Sequence, residues 1–189
     1  MTLNASKGRQ RLPIAIRRAN AADMRTICEI VNHYIATTAV NFRTEPQSVR
    51  EWEADWQQYR ERYPWLVASS AERVAGVAYA APWKARAAYD WCAEVTVYVA
   101  ADCLRQGVGS LLYHRLLADL EAQGFQTAVA AIGLPNEPSV ALHEALGFRH
   151  AGMLKRVGYK FGAWHDVGFW QKAISEVDEP KPLRLVADG

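Results

Sequence analysis

Apolar residues recur along the chain with two periods, one of about two residues and one of about 3.6 residues, which are typical of strands and of helices. In the first half, a strand is predicted at 14–19 and helices are predicted at 20–36 and 48–64. Two apolar runs at 65–69 and 73–81 flank a short polar turn, which predicts a hairpin of antiparallel strands. The first half therefore consists of a strand, two helices and a hairpin.

The second half alternates between strand and helix. A long strand comes first, a glycine-rich turn then leads into an amphipathic helix, and an apolar strand, a helix and two final strands follow. These elements are predicted at 91–100, 109–124, 127–132, 138–147, 149–154 and 164–170. The predicted fold class is α/β, with a mixed, partly parallel central sheet flanked by helices.

The length of 189 residues fits one domain, and a composition with 50% hydrophobic and 22% charged residues is typical of a globular protein. This domain is predicted at 14–175. The segment 1–13 lacks periodicity and is predicted to be a flexible tail. The segment 176–189 combines prolines with charge, which predicts a tail or a partly docked extension.

Charge and cysteine content exclude several classes of function. The formal net charge is +2 and the basic residues are scattered, so no nucleic acid is expected as a partner. No apolar run reaches the length of about 18 residues that a membrane span needs. The three cysteines have no CxxC spacing, and the histidines lack partners at metal-ligand spacing. We expect a cytoplasmic protein without a membrane partner or a metal site.

The stretch "DCLRQGVGSLLY" at 102–113 places two glycines, Gly107 and Gly109, in a turn that runs into a helix. Glycines let a backbone approach a ligand closely, and the free N–H groups of a first helical turn favour an anion such as phosphate. A Rossmann fingerprint would need glycine at Leu112, and a P-loop would need a GK pair that is absent here. An isolated GxG often serves chain geometry alone, so other segments must decide.

The turn resembles the RxxGxG or QxxGxG signature of the GNAT superfamily of N-acetyltransferases, with Leu104 at the first motif position. The segment "NEPSVALHEALGF" at 136–148 resembles the closing segment of the same superfamily. The resemblance implies the GNAT fold and acetyl-CoA as cosubstrate, held by backbone amides of the turn and of the fourth strand. The implied cofactor-binding residues are Val97, Tyr98, Val99, Arg105, Gln106, Gly107, Val108, Gly109, Ser110, Asn136 and Ser139.

A denser resemblance runs from 14 to 171. The segments "IVNHYI", "VNFRTEP", "PWKARAAYDW" and "AWHDVGFWQ" are similar to the phosphinothricin N-acetyltransferases. This resemblance implies acetylation of the amino group of phosphinothricin (glufosinate), a glutamate-like amino acid analogue, resistance by detoxification, and a homodimer. Methionine sulfoximine or another small amine stays open as the acceptor, because relatives that acetylate it share this layout. A non-catalytic acyl-CoA sensor is the remaining alternative.

Glu94 is the candidate general base. Alternation in "AEVTVYV" places Glu94, Thr96 and Tyr98 on one strand face just before the glycine turn. A base for a substrate ammonium needs a pKa near neutrality, so the site must raise that of a glutamate above its usual value. The pattern alone fits an exposed glutamate equally well, and it is the resemblance that assigns the catalytic role.

His143 is the second candidate catalytic residue. The superfamily commonly has tyrosine at this position, near the coenzyme sulfur, whereas the phosphinothricin enzymes have histidine. His143 could protonate the leaving thiolate or share base duty with Glu94. Tyr113 is a second candidate acid, although its position on the helix favours a packed aromatic of the core. A backbone N–H between Val97 and Val99 is expected to stabilise the oxyanion. Retention of Glu94 and His143 favours an enzyme over a sensor.

Two cations in "PWKARAAYDW" indicate an acidic acceptor. In an extended segment Lys84 and Arg86 project to the same side, beside Trp83 and Tyr89, and could grip a carboxylate and a phosphinate. A solvated basic loop is the alternative from the residues alone. The resemblance adds an apolar wall from Phe42. The predicted substrate-binding residues are Phe42, Lys84, Arg86, Tyr89, Thr96 and Tyr98.

Overall fold

The computed structural model describes residues 14–70 and 73–186, in which seven strands form one sheet with the order β1-β2-β3-β4-β5-β7-β6. The strands are β1 Ala15–Arg18, β2 Trp65–Ser70, β3 Arg73–Pro82, β4 Cys92–Val99, β5 Thr127–Leu134, β6 Arg149–Lys160 and β7 Ala163–Ala173. The helices are α1 Met24–Thr37, α2 Val49–Tyr59, α3 Val108–Gln123 and α4 Glu137–Ala145. Each predicted element is present, and the predicted α/β class with helices on a mixed sheet is confirmed.

Local sequence signals explain where the helices begin and end. Ser48 accepts a hydrogen bond from the Glu51 N–H while the Glu51 carboxylate accepts one from the Ser48 N–H, which is a capping box at the start of α2. Gly107 and Gly124 adopt left-handed conformations at the two ends of α3, with φ of 83° and 98°. Asn136 caps α4 by accepting from the Ser139 N–H.

The pairing of β4 with β5 is parallel and short. Residues 92, 93 and 94 pair with 127, 128 and 129, whereas β4 continues to Val99 and β5 to Leu134. The other strand pairs are antiparallel. The two central strands therefore separate after Glu94 and open a gap in the middle of the sheet.

Apolar side chains pack on both faces of this sheet. On one face α3 buries Leu112, Leu116 and Leu120 completely. On the other face α1 and α2 bury a cluster that includes Ile27 and Trp52. Since truncation of a buried leucine costs about 2–5 kcal/mol, Leu116→Ala alone removes a large part of the stability of an ordinary domain.

The predicted tail at 1–13 lies outside the described residues. In the predicted C-terminal tail, the carbonyl of Lys181 accepts from Trp91 Nε1 at 2.7 Å and the N–H of Val186 donates to Glu61 O at 2.8 Å. These contacts favour the partly docked extension over a free tail, and the domain boundaries stay a prediction. Within the described ranges, none of the helices is long and apolar enough to cross a membrane.

Candidate active site

The gap between β4 and β5 opens into a cavity of about 440 Å³. Its walls come from β4, the glycine turn, α3, β5 and α4. The residues of the cofactor and catalytic predictions that line it are Val97, Tyr98, Val99, Arg105, Gly107, Val108, Gly109, Ser110, Asn136, Ser139 and His143. Gln106 lies outside the lining, because its side-chain amide turns back to donate to the Asp102 carbonyl at 3.0 Å.

The backbone of β4 presents polar groups to the gap. The Ala100 N–H donates to Ala75 O on the β3 side at 2.9 Å. Alternate residues of an antiparallel ladder direct their N–H and C=O groups to the same side, so those of Val97 and Val99 face the gap. The hydroxyl of Tyr34 donates to the Val99 carbonyl at 2.7 Å. The Val97 N–H, beyond the paired part of β5, can therefore donate to a ligand, whereas the backbone of Tyr98 faces β3.

The glycine turn forms a donor-rich end of the cavity. Arg105 and Gly107 both have positive φ, at 59° and 83°, and Gly107 is the N-cap of α3. The N–H groups of the first helical turn point out of the helix without intrahelical partners, and the helix dipole favours an anion there. A Cβ on Gly109 would lie 3.2 Å from Leu142 Cδ2 and 3.7 Å from Val99 Cγ2. The turn thus lies directly against the gap, as a pyrophosphate site requires.

His143 is the buried residue of α4, with 3% of its surface exposed. Its Nδ1 lies 2.7 Å from the Ser139 carbonyl, which can only accept, so Nδ1 carries the proton of the neutral ring. Its Nε2 then accepts from the Tyr113 hydroxyl at 3.0 Å. Burial lowers the pKa of His143, opposed by the hydrogen bond to Ser139. The neutral ring has no proton on Nε2, so the hydrogen shared between Nε2 and the Tyr113 oxygen is that of the hydroxyl.

Glu94 is the last residue of β4 that pairs with β5, opposite Val129, so it lies where the two strands begin to separate. Its side chain is partly buried. Burial raises the pKa of Glu94, and the nearby Lys84 partly opposes the rise. The buried Tyr113 has its pKa raised by burial, with a smaller contribution from the charge of Glu94. The carboxylate thus lies within electrostatic range of the cavity, although it does not line it.

The loop between α1 and α2 packs against β4 and β5 further along the gap, at Tyr98 and Gly133. Asn41 Nδ2 donates to the Tyr98 hydroxyl at 2.9 Å. A Cβ on Gly133 of β5 would lie 3.2 Å from the Phe42 ring and 3.0 Å from the Ala39 carbonyl, and one on Gly158 would collide with that ring. Phe42 therefore packs directly against the backbone of two glycines, which fits the predicted apolar wall.

Residues 16–168 match the family described as the acetyltransferase (GNAT) domain. The chain belongs to this GNAT family. It is 58% identical, over 94% of its own length and 97% of the relative, to a phosphinothricin N-acetyltransferase of Streptomyces viridochromogenes. It is 36% identical, over 83% of its own length and 92% of the relative, to an L-methionine sulfoximine/L-methionine sulfone acetyltransferase of Pseudomonas aeruginosa.

A solved structure of a GNAT superfamily phosphinothricin acetyltransferase from Sinorhizobium meliloti, in complex with acetyl-CoA, has a TM-score of 0.85 to this chain. The two are 33% identical, and the match covers 89% of this chain and 92% of the other. The resemblance that the sequence motifs indicated is therefore confirmed at the level of family and fold.

The loop after β3 departs from the prediction for this GNAT chain. Residues 83, 85 and 86 lie in bends, and a short 3-10 turn follows at Ala87–Tyr89, so the assumption of an extended segment is wrong. The physical reason is that Pro82 ends the strand and the 3-10 turn begins directly after Arg86. The Lys84 ammonium lies 4.6 Å from the centroid of the Trp83 ring.

Lys84, Arg86 and Tyr89 are exposed side chains outside the cavity lining. Phe42 is partly buried and also lies outside the lining. Thr96 and Tyr98 do line the cavity. Of the predicted substrate-binding residues, the structure therefore brings Thr96 and Tyr98 together in the cavity and places Lys84 near Glu94. The roles of Arg86 and Tyr89 stay predictions.

The sequence prediction missed Tyr34, which lines the cavity, and Lys160, which bonds the loop between α1 and α2. Lys160, at the end of β6, donates to the carbonyls of Ile35 and Asn41. Tyr34 lies beside Ile35 at a spacing that also fits the apolar core of α1. The sequence pattern therefore did not mark it as a site residue. Among the described residues, no group of three His, Cys, Asp or Glu side chains could hold a metal ion.

Proposed function

We propose that this chain transfers the acetyl group of acetyl-CoA to the amino group of phosphinothricin, and so confers resistance by detoxification. One observation carries the chemistry: a partly buried carboxylate of raised pKa, Glu94, lies where β4 and β5 separate, and the N-terminus of α3 lines the same gap. The 58% identity to the Streptomyces viridochromogenes enzyme supports the acceptor.

Each requirement of acetyl transfer has a residue in this arrangement. Glu94 takes the proton of the substrate ammonium, directly or through a water molecule, because its raised pKa makes it a usable base. The Val97 N–H faces the gap and stabilises the negative charge that develops on the carbonyl oxygen of the acetyl group. The amides of residues 108–110 and of the preceding turn bind the pyrophosphate of the cosubstrate.

Before the transfer, His143 Nε2 accepts the single hydrogen of the Tyr113 hydroxyl, since Nδ1–H is engaged by the Ser139 carbonyl. As the C–S bond of the thioester breaks, this hydrogen turns from Nε2 to the sulfur and stabilises the departing thiolate. A neutral His143 is a poor acid, and its lowered pKa favours the neutral form at neutral pH. We therefore assign the base to Glu94 and the donor at the sulfur to Tyr113.

Methionine sulfoximine is the second candidate acceptor, because the 36% identical Pseudomonas aeruginosa relative is named for it. It shares the α-amino acid end of phosphinothricin and lacks its anionic side chain. A non-catalytic sensor of acyl-CoA is disfavoured, since a binding module gains nothing from a desolvated carboxylate beside the ligand cavity.

Incubation of acetyl-CoA with a panel of amines, followed by measurement of free thiol, tests the proposal. The panel contains phosphinothricin, methionine sulfoximine, glutamate, methionine and a simple alkylamine. We expect the highest kcat/KM for phosphinothricin. Preference for amines without a second acidic group would contradict the acceptor, and thiol release with none of them would contradict the enzyme.

We also propose a homodimer. The edge strand β6 and its turn into β7 expose large apolar side chains, which an isolated protein rarely leaves in water. These are Met153, Leu154, Val157, Tyr159, Phe161 and Trp164. Light scattering coupled to gel filtration measures the mass in solution, and a monomer at all concentrations would contradict the dimer.

A cytoplasmic location completes the proposed function. Cys28, Cys92 and Cys103 are free thiols in the structure, and a reducing compartment keeps thiols in that form. Fractionation of cells that express the protein, with the activity assayed in each fraction, tests this location.

A further inference from the structure

Lys160 is a buried lysine whose charge has no carboxylate partner in the described part of the chain. It is the last residue of β6, and 5% of its surface is exposed. No Asp or Glu oxygen of residues 14–70 and 73–186 lies within 4.0 Å of its ammonium. A lysine is almost never buried in this way unless its ammonium makes specific hydrogen bonds.

Two backbone carbonyls take those hydrogen bonds. Lys160 Nζ donates to Ile35 O at 2.6 Å and to Asn41 O at 2.7 Å. Ile35 is in the last turn of α1, where carbonyls lack intrahelical partners and the helix dipole favours a cation. Asn41 belongs to the loop that follows. One ammonium therefore joins the end of a helix to the middle of a loop.

The same loop forms part of the site. Val40 and Tyr98 line the cavity, and the side chain of Asn41 donates to the Tyr98 hydroxyl at 2.9 Å. Phe42 packs on Gly133 and Gly158. Asn41 is thus held through its carbonyl by β6 and bonded through its side chain to β4, on the strand face that carries Glu94.

We propose that Lys160 is a positioning residue, which fixes residues 38–42 against the face of β4 that carries Glu94 and acts on the acceptor through Asn41 and Phe42. This inference rests on the proposed acetyltransferase function. Loss of the ammonium leaves the buried Ile35 carbonyl and the partly buried Asn41 carbonyl without this donor, and that cost is relieved when the loop moves away. The hydrogen bonds of Lys160 go to Ile35, Asn41 and His165 and not to the start of α3, where we propose that the pyrophosphate binds, so cosubstrate binding should be independent of Lys160.

Lys160→Met tests this role, because methionine has a similar length and no donor. Its matched control is Lys155→Met, which removes one charge from an exposed position of the same strand. We expect Lys160→Met to raise the KM for the amine at least about tenfold, with acetyl-CoA affinity unchanged by calorimetry, since a tenfold change corresponds to about 1.4 kcal/mol. Lys155→Met should match the wild type.

Amide hydrogen exchange gives a readout that needs no activity. In Lys160→Met the amides of residues 38–42 should exchange at least about tenfold faster than in Lys155→Met, while those of α3 should not change. Unchanged exchange at 38–42 would overturn the inference whether or not an acceptor has been found. A wild type that acetylates no amine would instead contradict the proposed function alone.

Asn41→Ala provides the second variant, because it keeps the carbonyl that Lys160 binds and removes the bond to Tyr98. It should raise the KM for the amine, and the double variant should be no worse than Lys160→Met, since both act through one loop. Fully additive effects would show that Lys160 acts elsewhere. A role confined to the end of α1 would lower the Tm of Lys160→Met and leave its KM unchanged, which would also overturn the inference.

Discussion

The hydroxyl of Tyr113 lies 3.0 Å from Nε2 of His143, and the two rings meet edge to face with their centroids 5.1 Å apart. Both residues are buried and both line the cavity. Because the Ser139 carbonyl fixes the proton of His143 on Nδ1, the hydroxyl is the donor of the pair. This relationship favours Tyr113 over His143 as the donor to the leaving thiolate, a choice that the sequence left open.

Tyr113→Phe should slow the chemical step. The variant keeps the ring and its packing and loses the hydrogen bond to the departing thiolate, so we expect kcat to fall at least about tenfold with acetyl-CoA affinity unchanged. Steady-state kinetics with calorimetry measure the two quantities. His143→Ala should also slow the reaction, because the Tyr113 hydroxyl loses the partner that orients it. A Tyr113→Phe enzyme with the kcat of the wild type would return the role to His143.

Glu94→Gln should lower kcat by about 100-fold to 10,000-fold, the contribution of a positioned proton transfer. Acetyl-CoA should still bind, and the acid limb of the pH–rate profile should disappear. An unchanged profile would exclude Glu94 as the base.

The same substitution should change stability in the opposite direction. The pKa of Glu94 is raised in the folded state, so its carboxyl group favours folding at acid pH and this contribution is lost as the pH rises through the folded pKa. At pH 8 the wild type therefore bears a desolvated carboxylate that Glu94→Gln lacks. The Tm of Glu94→Gln should exceed that of the wild type at pH 8, and the difference should shrink towards pH 4.

Alternation and glycine spacing predicted much of this site because both are local properties. The period of two in β4 placed Glu94, Thr96 and Tyr98 on one face, and the structure keeps them there with the Val97 backbone towards the gap. The separation of β4 from β5 after Glu94 could not be predicted, since it depends on where two segments more than thirty residues apart stop pairing.

Long-range contacts account for the other omissions. Lys160 is separated from Asn41 by 119 residues and from Ile35 by 125, so no local pattern marks it as buried. The bends around Arg86 arise where a strand ends and a 3-10 turn begins, and a spacing of two residues says nothing about side-chain direction in such a segment.

The two glycines at the ends of α3 allow a matched test of the pyrophosphate site. Gly107→Ala and Gly124→Ala each force a side chain into a left-handed conformation, at φ of 83° and 98°, and should each cost about 1–2 kcal/mol of stability. Only Gly107 borders the cavity. We therefore expect Gly107→Ala to weaken acetyl-CoA binding several-fold in calorimetry, whereas Gly124→Ala binds as the wild type does. Equal affinities in the two variants would contradict the site.

Lys84 should affect both the pKa of Glu94 and the binding of the acceptor. Its charge lowers the pKa of Glu94 against the larger effect of burial, so Lys84→Met should raise that pKa further. A base must be deprotonated to act, and the acid limb of the pH–rate profile should therefore move to higher pH. Arg86→Met is the control, because Arg86 does not contribute to the shift of Glu94. With phosphinothricin, loss of either cation should raise KM at least about tenfold. If the acid limb stays in place in Lys84→Met, the group that titrates is not Glu94.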